Sequence, residues 1–184
     1  NISTMLTRRA LLGSAALLPQ ALAANDRIQI GVIGAGGRAQ HLMKWLVRMP
    51  AAKIVGICDV WDANIEKASA MAGISSSSKN HLEFLQRKDL DAVLIAAPDH
   101  WHVQLLTDAC AAGKDVYVEK PLTLFVKEGR WMIDAARRYN RVVQVGTQQR
   151  SGKHFQHAKQ LLESGYIGQI LSARAGSFRN VMPG

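Results

Sequence analysis

The stretch RIQIGVIGAGGRA, residues 27–39, decides the fold. Its first half is apolar and β-branched (Ile28, Ile30, Val32, Ile33), as a buried strand requires. Its second half, Gly34-Ala35-Gly36-Gly37-Arg38-Ala39, reads G-x-G-x-x-A and leads directly into a helical pattern. In that pattern Gly34 permits a tight turn, Gly36 lets the backbone approach a pyrophosphate, and Ala39 is small enough for close helix–strand packing. Gly37 and Arg38 fill the remaining places at the helix start, where unpaired N–H groups and the helix dipole favour negative charge. Asp59 stands 20 residues beyond Ala39, at the end of the next expected strand. There a carboxylate can accept hydrogen bonds from adenosine ribose hydroxyls and repel a 2′-phosphate, so NAD is expected and NADP is less favoured. Arg38 pulls the other way, because a guanidinium near the ribose can accommodate that phosphate. FAD and S-adenosylmethionine are the rival ligands, and a glycine turn that binds nothing is the rival structure.

Outward from this motif, strands and helices alternate. Leu42, Trp45, Leu46 and Met49 share one face of a helix over residues 39–49, which Pro50 ends. KIVGICD (53–59) reads as a strand, and Asp62 as the cap of a helix running to Met71 and closed by Gly73. Residues 75–78 read as a polar turn, and Asn80 with Glu83 resembles a capping box. AVLIAA (92–97) is an unbroken apolar run, suited to a strand covered on both faces. A helix over 102–112 stopped by Gly113, a strand over 115–119, a helix over 123–139 capped by Asn140 and a strand over 142–146 follow. The alternation predicts right-handed βαβ units and an α/β, doubly wound parallel sheet of the Rossmann kind over residues 24–146. From Thr147 the character changes, with a helix expected over 152–164 and a strand over 170–177. One helix and one strand cannot bury a core, so residues 147–184 are expected to be the start of a truncated α+β substrate domain.

Two further segments stand at strand ends: Ala97-Pro98-Asp99-His100-Trp101-His102 and Glu119-Lys120-Pro121. With the glycine motif, and with the run from Gly113 through Pro121 and from Val143 through Ser151, the chain resembles the Gfo/Idh/MocA oxidoreductases, and in particular their exported bacterial branch. The resemblance implies that Lys120 belongs to the acid/base apparatus acting on a sugar or cyclitol hydroxyl. It implies that Glu119 and Pro121 help fix the nicotinamide end, with the Lys-Pro peptide often cis. Ala97, Pro98 and His102 fall on the family's T-P-x-x-x-H pattern, Ala97 replacing a commoner Thr or Ser, and Asp99 stands where Asn is common. Together with Gly34, Gly36, Gly37, Arg38, Ala39, Asp59, Glu119, Lys120 and Pro121, these four are the expected cofactor contacts. Gln148 and Arg150 match positions near the sugar, so Lys120, Gln148 and Arg150 are the expected substrate contacts. The family's second domain normally adds an aspartate and a histidine, and this sequence holds no such pair.

The physics of the segments is compatible with those roles. Open α/β sheets place ligands at the carboxyl ends of their strands. A cationic ring nearby favours the neutral, proton-accepting form of a lysine. The competing reading of Lys120 is a surface ion pair with Glu119. His100 and His102, at i and i+2 with no third ligand, make a poor metal site, and no metal is expected.

Composition excludes other classes. Hydrophobic residues are 48% of the 184, enough for a core. The net charge is +9, but its densest groups, Arg137, Arg138 and Arg141, and Arg87 with Lys88, form no stripe with interleaved aromatics, so no nucleic-acid partner is expected. Cys58 and Cys110 read as small core residues. Residues 1–23 read as an export signal: Arg8-Arg9, an apolar run from Leu11 to Leu18, and Ala21-Leu22-Ala23 as a cleavage site. The arginine pair resembles a twin-arginine (Tat) signal, the route for folded proteins, so a periplasmic or otherwise exported location is expected, without stable membrane insertion after cleavage. An ordinary secretory signal or an uncut anchor is the alternative.

Three functions compete. One is NAD-dependent oxidation of a carbohydrate or cyclitol hydroxyl. The second is glycoside cleavage in which NAD is recycled in place. The third is cofactor binding without catalysis. The full-length protein is expected to form a homo-oligomer.

Overall fold

The computed structural model describes residues 27–176, so the export-signal reading lies outside the described residues. The first unit, ending at Gly146, is a parallel sheet in the order β3-β2-β1-β4-β5-β6. Its strands are β1 (Ile28–Ile33), β2 (Ala52–Cys58), β3 (Ser77–Ser78), β4 (Ala92–Ile95), β5 (Asp115–Glu119) and β6 (Val143–Gly146). Its helices are α1 (Gly37–Leu46), α2 (Asp62–Ala72), α3 (His81–Leu85), α4 (His102–Ala111) and α5 (Val126–Arg138). The chain winds outward from β1 to one edge and then from β4 to the other. The strand order therefore reverses between β1 and β4, as the sequence predicts for a doubly wound sheet.

Alternation along the strands builds two cores. Val32, Ile54, Ile57 and Leu94 face one side and pack with Ala39 and Met43 of α1 and Ala68 of α2. Ile33, Val93, Ile95, Val116 and Val118 face the other, against Phe84, Leu105, Leu106 and Met132. Each fully buried side chain of this size stabilises the fold by about 1.5–3 kcal/mol, and the 92–97 run is apolar because both of its faces are covered.

The element boundaries depart from expectation where local chemistry intervenes. Helix α1 starts at Gly37, two residues before Ala39, because Gln40 N–H already donates to Gly36 O at 3.0 Å. Asp62 does not cap α2: the cap position is Trp61, and Asp62 is paired instead with Lys79 at 2.7 Å. Within the expected turn 75–78, Ser77 and Ser78 form the edge strand β3 against Ile57 and Cys58. Asn80 caps α3 as expected, its side-chain oxygen accepting from Leu82 N–H at 2.9 Å. Helix α5 begins at Val126 rather than 123, since the Glu128 carboxylate reaches back to accept from Leu124 and Phe125 N–H. Asn140 adopts φ 51°, the left-handed cap the sequence suggests.

The second unit starts at Thr147. It contains a short 3-10 turn, Gln148–Ser151, and helix α6 (Lys153–Glu163). The expected strand over 170–177 is not formed among its described residues, 170–176: a strand exists only by pairing, and the described residues of this unit contain no other strand.

Candidate cofactor and active site

The carboxyl ends of β1, β2, β4 and β5 bring the predicted residues of the first unit to one rim of the sheet. Gly34 ends β1 with φ +80°, a left-handed conformation that only glycine adopts without strain. It also lies against the backbone of Ala97, where a Cβ would come within 2.5 Å of the amide nitrogen. The β1 turn and the β4 end can meet this closely only through a glycine.

Asp59 secures the same turn. Its Oδ2 accepts the Ala35 N–H at 2.6 Å and the Asn64 side-chain amide at 3.2 Å, while Oδ1 accepts the Trp61 N–H at 2.9 Å. The half-buried carboxylate is thereby fixed at the tip of β2. It lines a cleft of about 210 Å³ with Gly34, Cys58, Lys79, His81, Pro98 and Trp101. Burial, and secondarily the charge of Asp59, push the Cys58 thiol up to about 12, so it is an inert wall of this cleft.

The residues present fit a dinucleotide. Helix α1 has no side-chain cap and no acidic residue in its first turn, so its leading N–H groups are available to an anion. A Cβ on Gly36 would meet only Asn64 Nδ2, at 3.9 Å, and one on Gly37 would meet nothing within 4 Å. The space over this turn is therefore open, as close approach of a pyrophosphate requires. Buried Ala39 seats α1 on the sheet.

Arg38 does not extend toward the ribose end. Its guanidinium donates to Glu119 Oε1 at 2.7 Å, linking the glycine motif to the end of β5. This answers the sequence-based concern that Arg38 could hold a 2′-phosphate: the cation is committed elsewhere. Its Nε–H is buried without a partner. The second Glu119 oxygen accepts the Lys120 N–H at 3.1 Å. Burial first, and the neighbouring Glu119 charge second, push the Tyr117 phenol up. A Cβ on Gly146 would lie 2.7 Å from Tyr117 Oη and 2.8 Å from Glu119 Oε1, so β6 must end in glycine to leave the carboxylate its place.

Lys120 is exposed and its peptide bond to Pro121 is cis. Because Glu119 pairs with Arg38, the surface ion pair weighed for Lys120 is not the one formed. His102 requires a correction. Its ring is 1% exposed, with Nδ1 2.7 Å from Pro121 O and Nε2 2.9 Å from Ala97 O. Neither nitrogen is left for a cofactor, so His102 braces the β4 and β5 loops from beneath. Pro98 and Asp99 lie on the loop above it, exposed and half-buried respectively. Gln148 and Arg150 belong to the 3-10 turn of the second unit, where Arg150 shares a concave surface with Phe155 and Lys159. Among the described residues no three His, Cys, Asp or Glu side chains cluster as metal ligands, and no helix is long and apolar enough to cross a membrane.

Sequence reasoning missed Asn64, Tyr117, Gly146, Lys79 and His81. Only Gly146 carried a signal, as a glycine ending a strand.

A parallel sheet whose glycine turn, open helix start and strand-tip carboxylate converge in this way defines a dinucleotide-binding Rossmann domain. The comparisons agree. Residues 28–147 match the Gfo/Idh/MocA pattern described as "Oxidoreductase family, NAD-binding Rossmann fold", and the chain belongs to that family. The NAD(+)-dependent scyllo-inositol 2-dehydrogenase of Bacillus subtilis is 30% identical over 144 residues, 78% of this chain and 42% of that protein. A glycosyl hydrolase family 109 protein of a Shewanella strain is 26% identical over 159 residues, 82% of this chain and 35% of that protein. The crystal structure of Lactobacillus casei scyllo-inositol dehydrogenase with bound NAD(H) and scyllo-inositol superposes with a TM-score of 0.73 at 28% identity, covering 77% of this chain and 42% of that one. The chain thus spans less than half the length of these relatives. The matched region is that family's NAD-binding Rossmann fold.

Proposed function

We propose that this chain is the cofactor-binding half of an enzyme that oxidises a hydroxyl of a cyclitol or sugar, with Lys120 taking the hydroxyl proton. The observation that carries this reading is the placement of Lys120. It stands exposed at the tip of β5, its N–H held by the Glu119 carboxylate, which is itself tied to Arg38 of the glycine motif. Bound NAD supplies the hydride acceptor. The chain's own residues do the positioning. Asp59 orients the adenosine ribose, the α1 N-terminus holds the pyrophosphate, His102 braces the loops, and Lys120 Nζ accepts the proton. Gln148 and Arg150 contribute substrate contacts from the start of a substrate domain at Thr147. The inositol dehydrogenases among the relatives support a cyclitol or sugar substrate. The arginine pair and small-x-small site near the N-terminus support export through the Tat route, with the cofactor loaded beforehand.

The test uses the chain with its substrate domain, incubated with NAD+ and scyllo-inositol, myo-inositol or free sugars. NADH absorbance should rise and should be lost in Lys120→Met even at saturating NAD+. Unchanged turnover in that variant refutes the role of Lys120. The glycosyl hydrolase relative, which aligns over 159 residues, favours a second reading, NAD-recycling glycoside cleavage. Release of aglycone from an aryl glycoside without net NADH would select it.

A further inference from the structure

We infer that the Arg38–Glu119 ion pair sets the balance of affinity between the oxidised and reduced forms of the cofactor. The inference rests on the reading above only in placing the nicotinamide over the β4–β6 half of the rim. That placement follows from the fold: a dinucleotide lies across the crevice where strand order reverses, and Asp59 at β2 claims the adenosine half.

Glu119 ends β5 on the remaining half. Its side chain is 4% exposed, so its charge is shielded little by water. NAD+ and NADH carry the same phosphates and riboses and differ by one positive charge on the ring. A carboxylate at this place therefore distinguishes the two forms and, alone, would favour NAD+ over NADH. Arg38 cancels it. The guanidinium sits 2.7 Å from Oε1, and the other oxygen is taken by the Lys120 N–H rather than by a second cation. The pair is locked in register, because Gly146 leaves just enough room for the carboxylate and Arg38 rises from the first turn of α1. The charged and titratable groups around it are Tyr117, beside the carboxylate, and the exposed Lys120 that follows it. A site that is electrically neutral toward the ring releases both forms, as an enzyme turning over with either requires. Arg38 and Glu119 are thus positioning and tuning residues rather than catalytic ones.

The experiment is calorimetric titration of the chain with NAD+, NADH and ADP-ribose. Wild type is compared with Arg38→Met, Glu119→Gln and the double variant, with Arg38→Gln replacing Arg38→Met should the latter not fold by circular dichroism. The ratio Kd(NAD+)/Kd(NADH) should fall at least about fivefold in Arg38→Met, because one unit charge at an effective dielectric of about 20 is worth that much out to roughly 17 Å. It should rise about fivefold in Glu119→Gln and return to within about twofold of wild type in the double variant. ADP-ribose, which lacks the ring, is the reference against which both dinucleotide affinities are read. Single variants that move the ratio in the same direction, or that weaken all three ligands in step with no change of ratio, overturn the inference. Failure of wild type to bind either dinucleotide overturns the cofactor placement instead.

Discussion

Replacing Gly34 by alanine tests the tightest point of the fold. The position has φ +80°, and a Cβ there would stand 2.5 Å from Ala97 N, 2.7 Å from Ala97 Cα and 2.9 Å from the Ala96 carbonyl carbon. All three are backbone atoms, so no side-chain rotation relieves the overlap. The left-handed conformation costs a non-glycine residue about 1–2 kcal/mol. Displacing the β4 end to admit a methyl group costs about 1–3 kcal/mol more. Alanine also restricts the unfolded chain, which returns about 0.4–1 kcal/mol. The net loss is about 2–4 kcal/mol, a large part of the ~5–15 kcal/mol that holds a domain together. Urea unfolding followed by circular dichroism measures it directly. Gly37→Ala is the internal control: it lies in α1, and its Cβ would meet nothing within 4 Å. Alanine there should stabilise by a few tenths to ~1 kcal/mol through helix propensity. A Gly34→Ala loss below about 1 kcal/mol, or an equal loss in both variants, refutes the close-approach argument.

The other expected outcomes separate binding from folding. Gly36 has φ −67° and ψ −172°, extended backbone open to any residue, so Gly36→Ala should unfold like wild type while NAD affinity drops at least about tenfold in a titration, because the methyl occupies the pyrophosphate approach. Lys114 is buried and donates to Arg87 O at 2.8 Å and Leu90 O at 2.9 Å, so Lys114→Met should cost about 1–3 kcal/mol in urea unfolding by orphaning both carbonyls, with NAD affinity of the folded chain unchanged. Cys58 is raised from 9.0 to about 12, chiefly by burial. Folding therefore favours the protonated thiol, and this contribution is fully present below pH 9.0 and is lost as pH rises toward 12. Native protein should accordingly resist alkylation of Cys58 at pH about 8, and labelling as fast as in the unfolded chain would contradict its burial.

What the sequence made legible was local. The glycine motif, Asp59 and the 92–97 strand could be read because spacing and apolar runs carry them within a few tens of residues. Strand β3 could not be read, because two serines become a strand only by lying beside Ile57 and Cys58. The start of α5 was set by Glu128 reaching backward, a choice among several acids that composition does not single out. The site followed the same division. Asp59 was read from its spacing to the glycine motif, whereas Lys120 was singled out only by the family resemblance. Arg38 and Glu119 lie 81 positions apart, and their pairing exists only once β5 has been placed two strands from β1. His102 was assigned to the cofactor by pattern, whereas its ring was claimed by two carbonyls that no local pattern displays.

The same long-range pairing explains how a basic chain comes to suit NAD. A net charge of +9, with Arg38 inside the glycine motif and Lys79 on the adenosine cleft, argues on composition for the more highly phosphorylated NADP. The fold gives each of these cations a carboxylate partner other than Asp59. Arg38 is drawn to Glu119 on the opposite half of the rim, and Lys79 is held by Asp62 at 2.7 Å. Asp59 is left as the unpaired formal charge at the adenosine end, its partners being amide N–H groups that fix it without neutralising it. A 2′-phosphate would meet that negative charge with no cation fixed beside it, whereas two ribose hydroxyls find acceptors already oriented. Cofactor choice in this chain is therefore a property of which carboxylate each cation is given, and the total charge says nothing about it.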